Sequence, residues 1–270
     1  MDNRPIGVFD SGLGGLTAVK ELLQILPHEN IVYFGDTGRV PYGSRSRETI
    51  QKYAKQDAAF LLSNNVKMMI AACGTVSSVA ENLGDHLGVP FTGVVRPTAK
   101  AAAAATRNRR VGVIGTSATI RSGSYQRALT EIDPEITVFE RDCPLFVPLV
   151  ENGFVEPGDE VTRLVALRYL TKLRDEGIDT LILGCTHYPI LQRFIAEVMG
   201  SDVKLVDSGR ETALVSAQML REQDLLCEGS GEGEARFFVS DRVEGFSQVA
   251  GIFLRRDVKD EVSQVDIDSF

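Results

Sequence analysis

Two stretches decide the fold of this chain: Val66-Lys67-Met68-Met69-Ile70-Ala71-Ala72-Cys73-Gly74-Thr75, and Ile178-Asp179-Thr180-Leu181-Ile182-Leu183-Gly184-Cys185-Thr186-His187. A strand covered by helices on both faces reads as an unbroken apolar run, because neither side meets water. Met68 to Ala71 and Thr180 to Leu183 read that way, so each predicts a strand inside a parallel, helix-covered sheet. Each run ends in a cysteine at the expected strand-to-helix junction, where a helix N-terminus favours thiolate.

The two stretches are copies of one plan. Val94 and Val206 each lie 21 positions beyond the respective cysteine and each marks a further apolar strand. Ile6-Gly7-Val8-Phe9-Asp10-Ser11 aligns with Val111-Gly112-Val113-Ile114-Gly115-Thr116 at an offset of 105, against 112 for the cysteines, so an insertion of seven residues separates the halves. The chain therefore reads as two related halves with one thiol each. A thiol pair facing one pocket could act on opposite faces of a single substrate atom.

Around these anchors, β-type runs alternate with helical segments: strand Ile6 to Phe9, helix Thr17 to Leu26, strand Ile31 to Phe34, helix Arg47 to Asn64, strand Met68 to Ala71. That alternation predicts βαβ units and an α/β fold. The first half ends near Arg96-Pro97, where a helix with five consecutive alanines, Ala101 to Ala105, predicts close helix packing. Strands at Val111 to Ile114, Ile136 to Phe139, Thr180 to Leu183 and Lys204 to Val206 build the second half. After Asp207 the chain is expected to return, with a helix over Glu211 to Gln223, a glycine-rich loop at Gly229 to Gly233, a strand over Arg236 to Ser240 and a helix ending at Leu254. The expected domains are 1–96 plus 208–270, and 97–207, with the site in the cleft between them and hinges at Arg96-Pro97 and Val206-Asp207. The acidic tail Asp257 to Phe270 is expected to be loosely held.

With 43% hydrophobic residues among 270, the composition is that of an ordinary globular protein. A net charge of −8 argues against a nucleic-acid footprint, which needs clustered Lys and Arg. No apolar run approaches membrane-spanning length, and a first strand from Ile6 leaves no room for a signal peptide. Four cysteines are too few for a disulfide scaffold, which fits a reducing cytoplasm. Cys143 and Cys227 lack the strand-end setting and read as structural. Cys185 and His187 supply too few ligands for a metal, so none is expected; a histidine beside a thiol more naturally tunes it or relays its proton.

Asp10-Ser11-Gly12-Leu13-Gly14-Gly15 lies between a strand and a helix, where free amides and small residues let an anion approach. A dinucleotide fingerprint would want glycine at position 17, where Thr17 stands. Gly35-Asp36 with Pro41-Tyr42-Gly43, and Gly115-Thr116-Ser117-Ala118-Thr119, fall on the same expected sheet edge, at which open α/β sheets bind ligands. Plain turns account for the last two segments equally well, whereas Asp10-Ser11 at the carboxyl end of its strand tilts the first toward a ligand.

Taken in order, Asp10 to Gly15, Gly35-Asp36 with Pro41-Tyr42-Gly43, Ala72-Cys73-Gly74-Thr75 and Gly184-Cys185-Thr186-His187-Tyr188-Pro189 resemble the glutamate racemases of the aspartate/glutamate racemase superfamily. The resemblance spans roughly residues 6 to 254. It implies a cofactor-independent isomerase that interconverts L- and D-glutamate for peptidoglycan synthesis in the cytoplasm, often as a homodimer. By the same resemblance Cys73 and Cys185 are the acid/base pair, assisted by Asp10 and His187. Ser11, Tyr42, Gly43, Gly74, Thr75, Thr116, Thr119 and Thr186 then hold substrate together with Asp10 and His187. One position departs from the family pattern, since Gly74 stands where asparagine is usual, leaving a backbone amide in place of a side-chain contact. Alternatives are an aspartate racemase, a non-catalytic anion- or nucleotide-binding module, and a thiol-disulfide oxidoreductase, although the last usually carries Cys-x-x-Cys, which is absent.

Overall fold

The computed structural model describes residues 2–227, 229 and 231–270, and among these ten strands form two parallel sheets. They are β1 (Ile6–Asp10), β2 (Ile31–Gly35), β3 (Met68–Ala71), β4 (Phe91–Gly93), β5 (Arg110–Gly115), β6 (Thr137–Asp142), β7 (Thr180–Leu183), β8 (Lys204–Asp207), β9 (Ala235–Val239) and β10 (Val262–Gln264). The first sheet runs β10-β9-β2-β1-β3-β4 and the second β6-β5-β7-β8, with every pairing parallel. Four consecutive strands of the first sheet, β2-β1-β3-β4, repeat the order β6-β5-β7-β8 of the second. Hence the sequence repeat is a repeat of topology, with β3 and β7 as equivalent strands.

Continuous burial explains why these strands hold. β1, β2, β3 and β7 are buried at every position, which only helices on both faces can achieve. Edge strand β6 is only half-buried and carries Glu140, Arg141 and Asp142, so its apolar signal stops at Phe139 although the strand extends three residues further. Helix Val95–Ala105 presents Ala99 and Ala102, both fully buried, to helix Ser124–Ile132 and to β7 and β8; the small side chains permit that close approach. Helix Ser208–Glu222 packs on both helix Leu16–Ile25 and helix Val95–Ala105, tying the return segment to both halves.

Both segments expected to act as hinges fall at helix starts. Arg96 and Pro97 lie in the first turn of helix Val95–Ala105, and Asp207 caps helix Ser208–Glu222 by accepting from the Gly209 and Arg210 amides. Within the glycine-rich stretch Gly229 to Gly233, Ser230 lies outside the described residues.

The acidic tail is ordered, contrary to expectation. Val258 and Ile267 are buried, β10 adds to the sheet edge beside β9, and the Phe270 ring meets Phe60 edge-on at 5.4 Å. Apolar residues at Val258, Val262, Val265 and Ile267 are interleaved with the acids, so overall polarity concealed an edge strand flanked by two buried anchors, Val258 and Ile267. No described helix is long and apolar enough to cross a membrane.

Candidate active site

Carboxyl ends of strands from the two sheets meet face to face. A Cβ added to Gly74, just beyond β3, would stand 2.4 Å from the Gly184 carbonyl oxygen beyond β7. A Cβ on Gly14 would stand 2.1 Å from Thr186 Oγ1 and 2.5 Å from His187 Nδ1. In this chain's packing the absence of a Cβ at both positions leaves room for that approach. The two thiol-bearing strand ends are thus neighbours across a narrow cleft.

Cys73 precedes helix Gly74–Val79 and is 4% exposed, its thiol donating to Ser11 Oγ at 3.4 Å. Burial first, and then the carboxylate of Asp10, push this thiol up to about 12, outweighing the Ser11 contact and the Val76 and Ser11 amides. This corrects the expectation that a helix start would lower it. A six-residue helix has too weak a dipole to offset desolvation.

Asp10 closes β1 at 1% exposure, with Oδ2 accepting from the Gly12 amide at 3.0 Å and Oδ1 without a partner among the described residues. Burial raises its pKa, opposed by His187 and by the Gly15 and Gly12 amides. Its carboxylate acts on the Cys73 thiol and is in turn favoured by the His187 imidazole. The loop carrying it is pinned from below, where the fully buried Tyr33 hydroxyl donates to the Gly12 carbonyl at 2.9 Å.

Cys185, 6% exposed, is followed by a short 3-10 turn, Tyr188–Leu191, and helix Gln192–Met199 begins only seven residues later. The expected helix start directly after this thiol is therefore absent. His187 takes that place: Nδ1 points to Cys185 Sγ at 3.9 Å and Nε2 to Glu151 Oε1 at 2.9 Å. Burial alone would depress the imidazole, but the contacts to Cys185 and Glu151 prevail and raise it to about 10. A protonated imidazolium at neutral pH follows, with an edge-on contact to Phe253 at 5.5 Å. Glu151 carries no motif of its own, and 36 residues separate it from His187; only the fold brings them together.

The hydroxyls expected to hold substrate converge in part. Thr75 Oγ1 and Thr116 Oγ1 lie 3.0 Å apart across the cleft, and Thr116 lies 3.0 Å from Thr119 Oγ1 while capping helix Ser117–Ser122. Thr186 packs on Gly14, and the Gly43 α-carbon faces Thr116. The Tyr42 hydroxyl does not join them. It donates to Asp36 and lies 3.2 Å from Asp57, buried at 1% exposure, so any contribution of Tyr42 to the cleft comes from the backbone of turn Tyr42–Ser44. Cys143 is fully buried on the second sheet and Cys227 lies away from the cleft, its thiol donating to Asn3.

The family described as Asp/Glu/Hydantoin racemase matches residues 11–215. The chain is 49% identical to a glutamate racemase of Geobacter metallireducens over 98% of both chains, and 48% identical to one of Syntrophus aciditrophicus over 94% of both. Its structure is similar to a crystal structure of glutamate racemase from Francisella tularensis in complex with D-glutamate, with a TM-score of 0.92, 42% identity and full coverage of both chains.

Proposed function

The chain belongs to the Asp/Glu/Hydantoin racemase family, and from that premise we propose that it interconverts L- and D-glutamate without a cofactor, using Cys73 and Cys185 as acid and base on opposite faces of the α-carbon. The observation that carries this reading is the meeting of the two equivalent strand ends at Gly74 and Gly184, each next to a buried thiol.

The two thiols are unequally equipped. Cys73, pushed up to about 12, holds its proton at neutral pH and stands as the acid. Cys185 has the His187 imidazolium beside it, which stabilises negative charge on sulfur and so suits the base. Removal of the α-proton by Cys185 and delivery from Cys73 invert the centre and leave the charges exchanged, ready for the reverse reaction. Glu151 orients His187, and the Asp10 carboxylate disfavours negative charge on Cys73 and so keeps that thiol protonated.

Acid/base transfer of this kind contributes about 10²- to 10⁴-fold in rate. The remainder comes from donors fixed around the developing carbanion and from exclusion of water. Ser11, Thr75, Thr116, Thr119 and Thr186, with the backbone of Gly43 and Gly74, supply hydroxyls and amides for two carboxylates in a chain short of positive charge. Closure of the cleft between domain 1–96 plus 208–270 and domain 97–207, about Arg96-Pro97 and Val206-Asp207, would admit and seal the substrate. In a cell the product would supply D-glutamate for peptidoglycan in the cytoplasm, and sedimentation would read whether the chain forms a homodimer.

Chiral analysis of purified protein incubated with L- or D-glutamate and L- or D-aspartate, without added cofactor, tests the assignment. Interconversion of glutamate in both directions is expected; turnover of aspartate alone would replace the substrate, and no turnover of either would reject the reading.

A further inference from the structure

Behind the cleft lies a buried charge cluster that the acid/base chemistry does not use. Asp36 and Asp57 are both fully buried and share Arg39, which donates from Nε to Asp36 Oδ2 at 2.6 Å and from Nη2 to Asp57 Oδ1 at 3.1 Å. Arg39 also donates to Gln56 at 2.6 Å and stacks over the Tyr53 ring at 4.1 Å. The Ser240 hydroxyl satisfies Asp36 Oδ1 at 2.7 Å. The Tyr42 hydroxyl sits between the two carboxyls, in contact with Asp36 Oδ2 and Asp57 Oδ2.

Counting protons resolves the cluster. A tyrosine hydroxyl has one proton to give, and burial together with the two carboxylates raises its pKa, so it keeps that proton. Asp36, the carboxyl that Arg39 holds closer, at 2.6 Å against 3.1 Å for Asp57, stays the anion and takes it. The 3.2 Å contact to Asp57 Oδ2 then needs a proton from the other side. A protonated Asp57 supplies it, and the buried part of the cluster becomes one arginine cation against one Asp36 anion, with the exposed Asp268 carboxylate 3.8 Å from Arg39 Nη1 at its rim, which removes the cost of an unpaired buried charge. Burial first, then Asp36, raise the Asp57 pKa, in the same direction.

We propose that Asp57 is a positioning residue for substrate binding: as a neutral acid it donates to Tyr42 and accepts from Arg39, and so fixes turn Tyr42–Ser44 as a wall of the cleft. The turn packs on helix Ser117–Ser122 and helix Gly74–Val79, with the Gly43 α-carbon facing Thr116. Asp57 itself lies on helix Arg47–Ser63 and touches neither thiol. The proposal rests on the glutamate racemase reading, in which that turn holds substrate.

The test is steady-state racemisation by the full chain in both directions for wild type, Asp57→Ala, Asp57→Asn, Tyr42→Phe and the Asp57→Ala/Tyr42→Phe double variant. Asp57→Ala is expected to raise KM for both enantiomers about tenfold with kcat within about threefold, the pattern of lost uniform binding. Asp57→Asn keeps a donor and an acceptor in the same shape and should hold KM within about threefold of wild type. Tyr42→Phe should match Asp57→Ala, and the double variant should add nothing, because the two act as one unit. A KM unchanged in Asp57→Ala, or Asp57→Asn as damaged as Asp57→Ala, overturns the proposal. If Asp57→Ala does not fold, as read by circular dichroism, an unchanged KM in Tyr42→Phe overturns it alone. An inactive wild type would instead sink the racemase reading, which keeps the two failures apart.

Discussion

The α-carbon of Gly74 faces the carbonyl oxygen of Gly184 so closely that a Cβ there would stand 2.4 Å from it. Both groups are backbone, so neither can swing aside, and the contact fixes how near the Cys73 and Cys185 strand ends come.

In this chain, whose packing has closed over the glycine that replaces the family's usual asparagine, Gly74→Ala is expected to push the two strand ends apart. An added misplacement of about 1 Å at a reacting centre costs on the order of 10²-fold in rate. Turnover should fall by that order in both directions, with a small change in the thermal midpoint. Steady-state kinetics beside a melting curve check this; a variant with normal kcat would show that this contact does not set the catalytic distance.

Glu151 should govern the charge on His187. A histidine raised to about 10 contributes stability that is fully present below its unfolded value near 6.5 and is lost as pH rises through about 10. Glu151→Gln removes one of the two contacts that raise it. The variant should melt below wild type at neutral pH, and the gap should close as pH passes 10. A gap that is constant from pH 7 to 11 would mean that Glu151 acts on the fold rather than on the imidazolium.

Tyr33 supports the Asp10 loop through one hydrogen bond to the Gly12 carbonyl, 2.9 Å long and fully buried. Tyr33→Phe leaves that carbonyl unsatisfied, a loss of about 1 to 3 kcal/mol, or roughly 2 to 10 °C in the thermal midpoint. Calorimetry reads the shift, and an unchanged midpoint would remove Tyr33 from the account.

The tail can be tested at Ile267, which is 4% exposed against the first sheet's core. Ile267→Ala should cost about 2 kcal/mol or more in urea unfolding, as buried large-to-small changes do. A loosely held tail would register almost nothing.

Much of this was legible in the residues themselves. The unbroken runs at Met68 to Ala71 and Thr180 to Leu183 could only be parallel strands covered on both faces, and the matched offsets exposed the repeat that β2-β1-β3-β4 and β6-β5-β7-β8 realise. Cys73, Cys185 and Asp10 stand out in the sequence because each ends or follows a strand, and His187 because it lies two residues after a thiol, while the roles proposed for all four come from the resemblance. Glu151 and Asp57 carry no such signal, since one closes a helix and the other lies within one, and only the fold sets them against His187, 36 positions away, and Tyr42, 15 positions away. Tyr42 was placed in the cleft from its turn motif, yet a motif does not state where a side chain points. The thiol of Cys73 was expected to be acidified by its helix, but burial beside Asp10 decides it the other way.

The most direct test is racemisation in deuterated water by wild type, Cys73→Ala and Cys185→Ala. Product formed by wild type from either enantiomer should carry solvent deuterium at the α-carbon, and each variant should lose racemisation by at least about 10²-fold. Near-normal interconversion by either variant, or wild-type product that keeps its original hydrogen, would contradict the two-thiol mechanism.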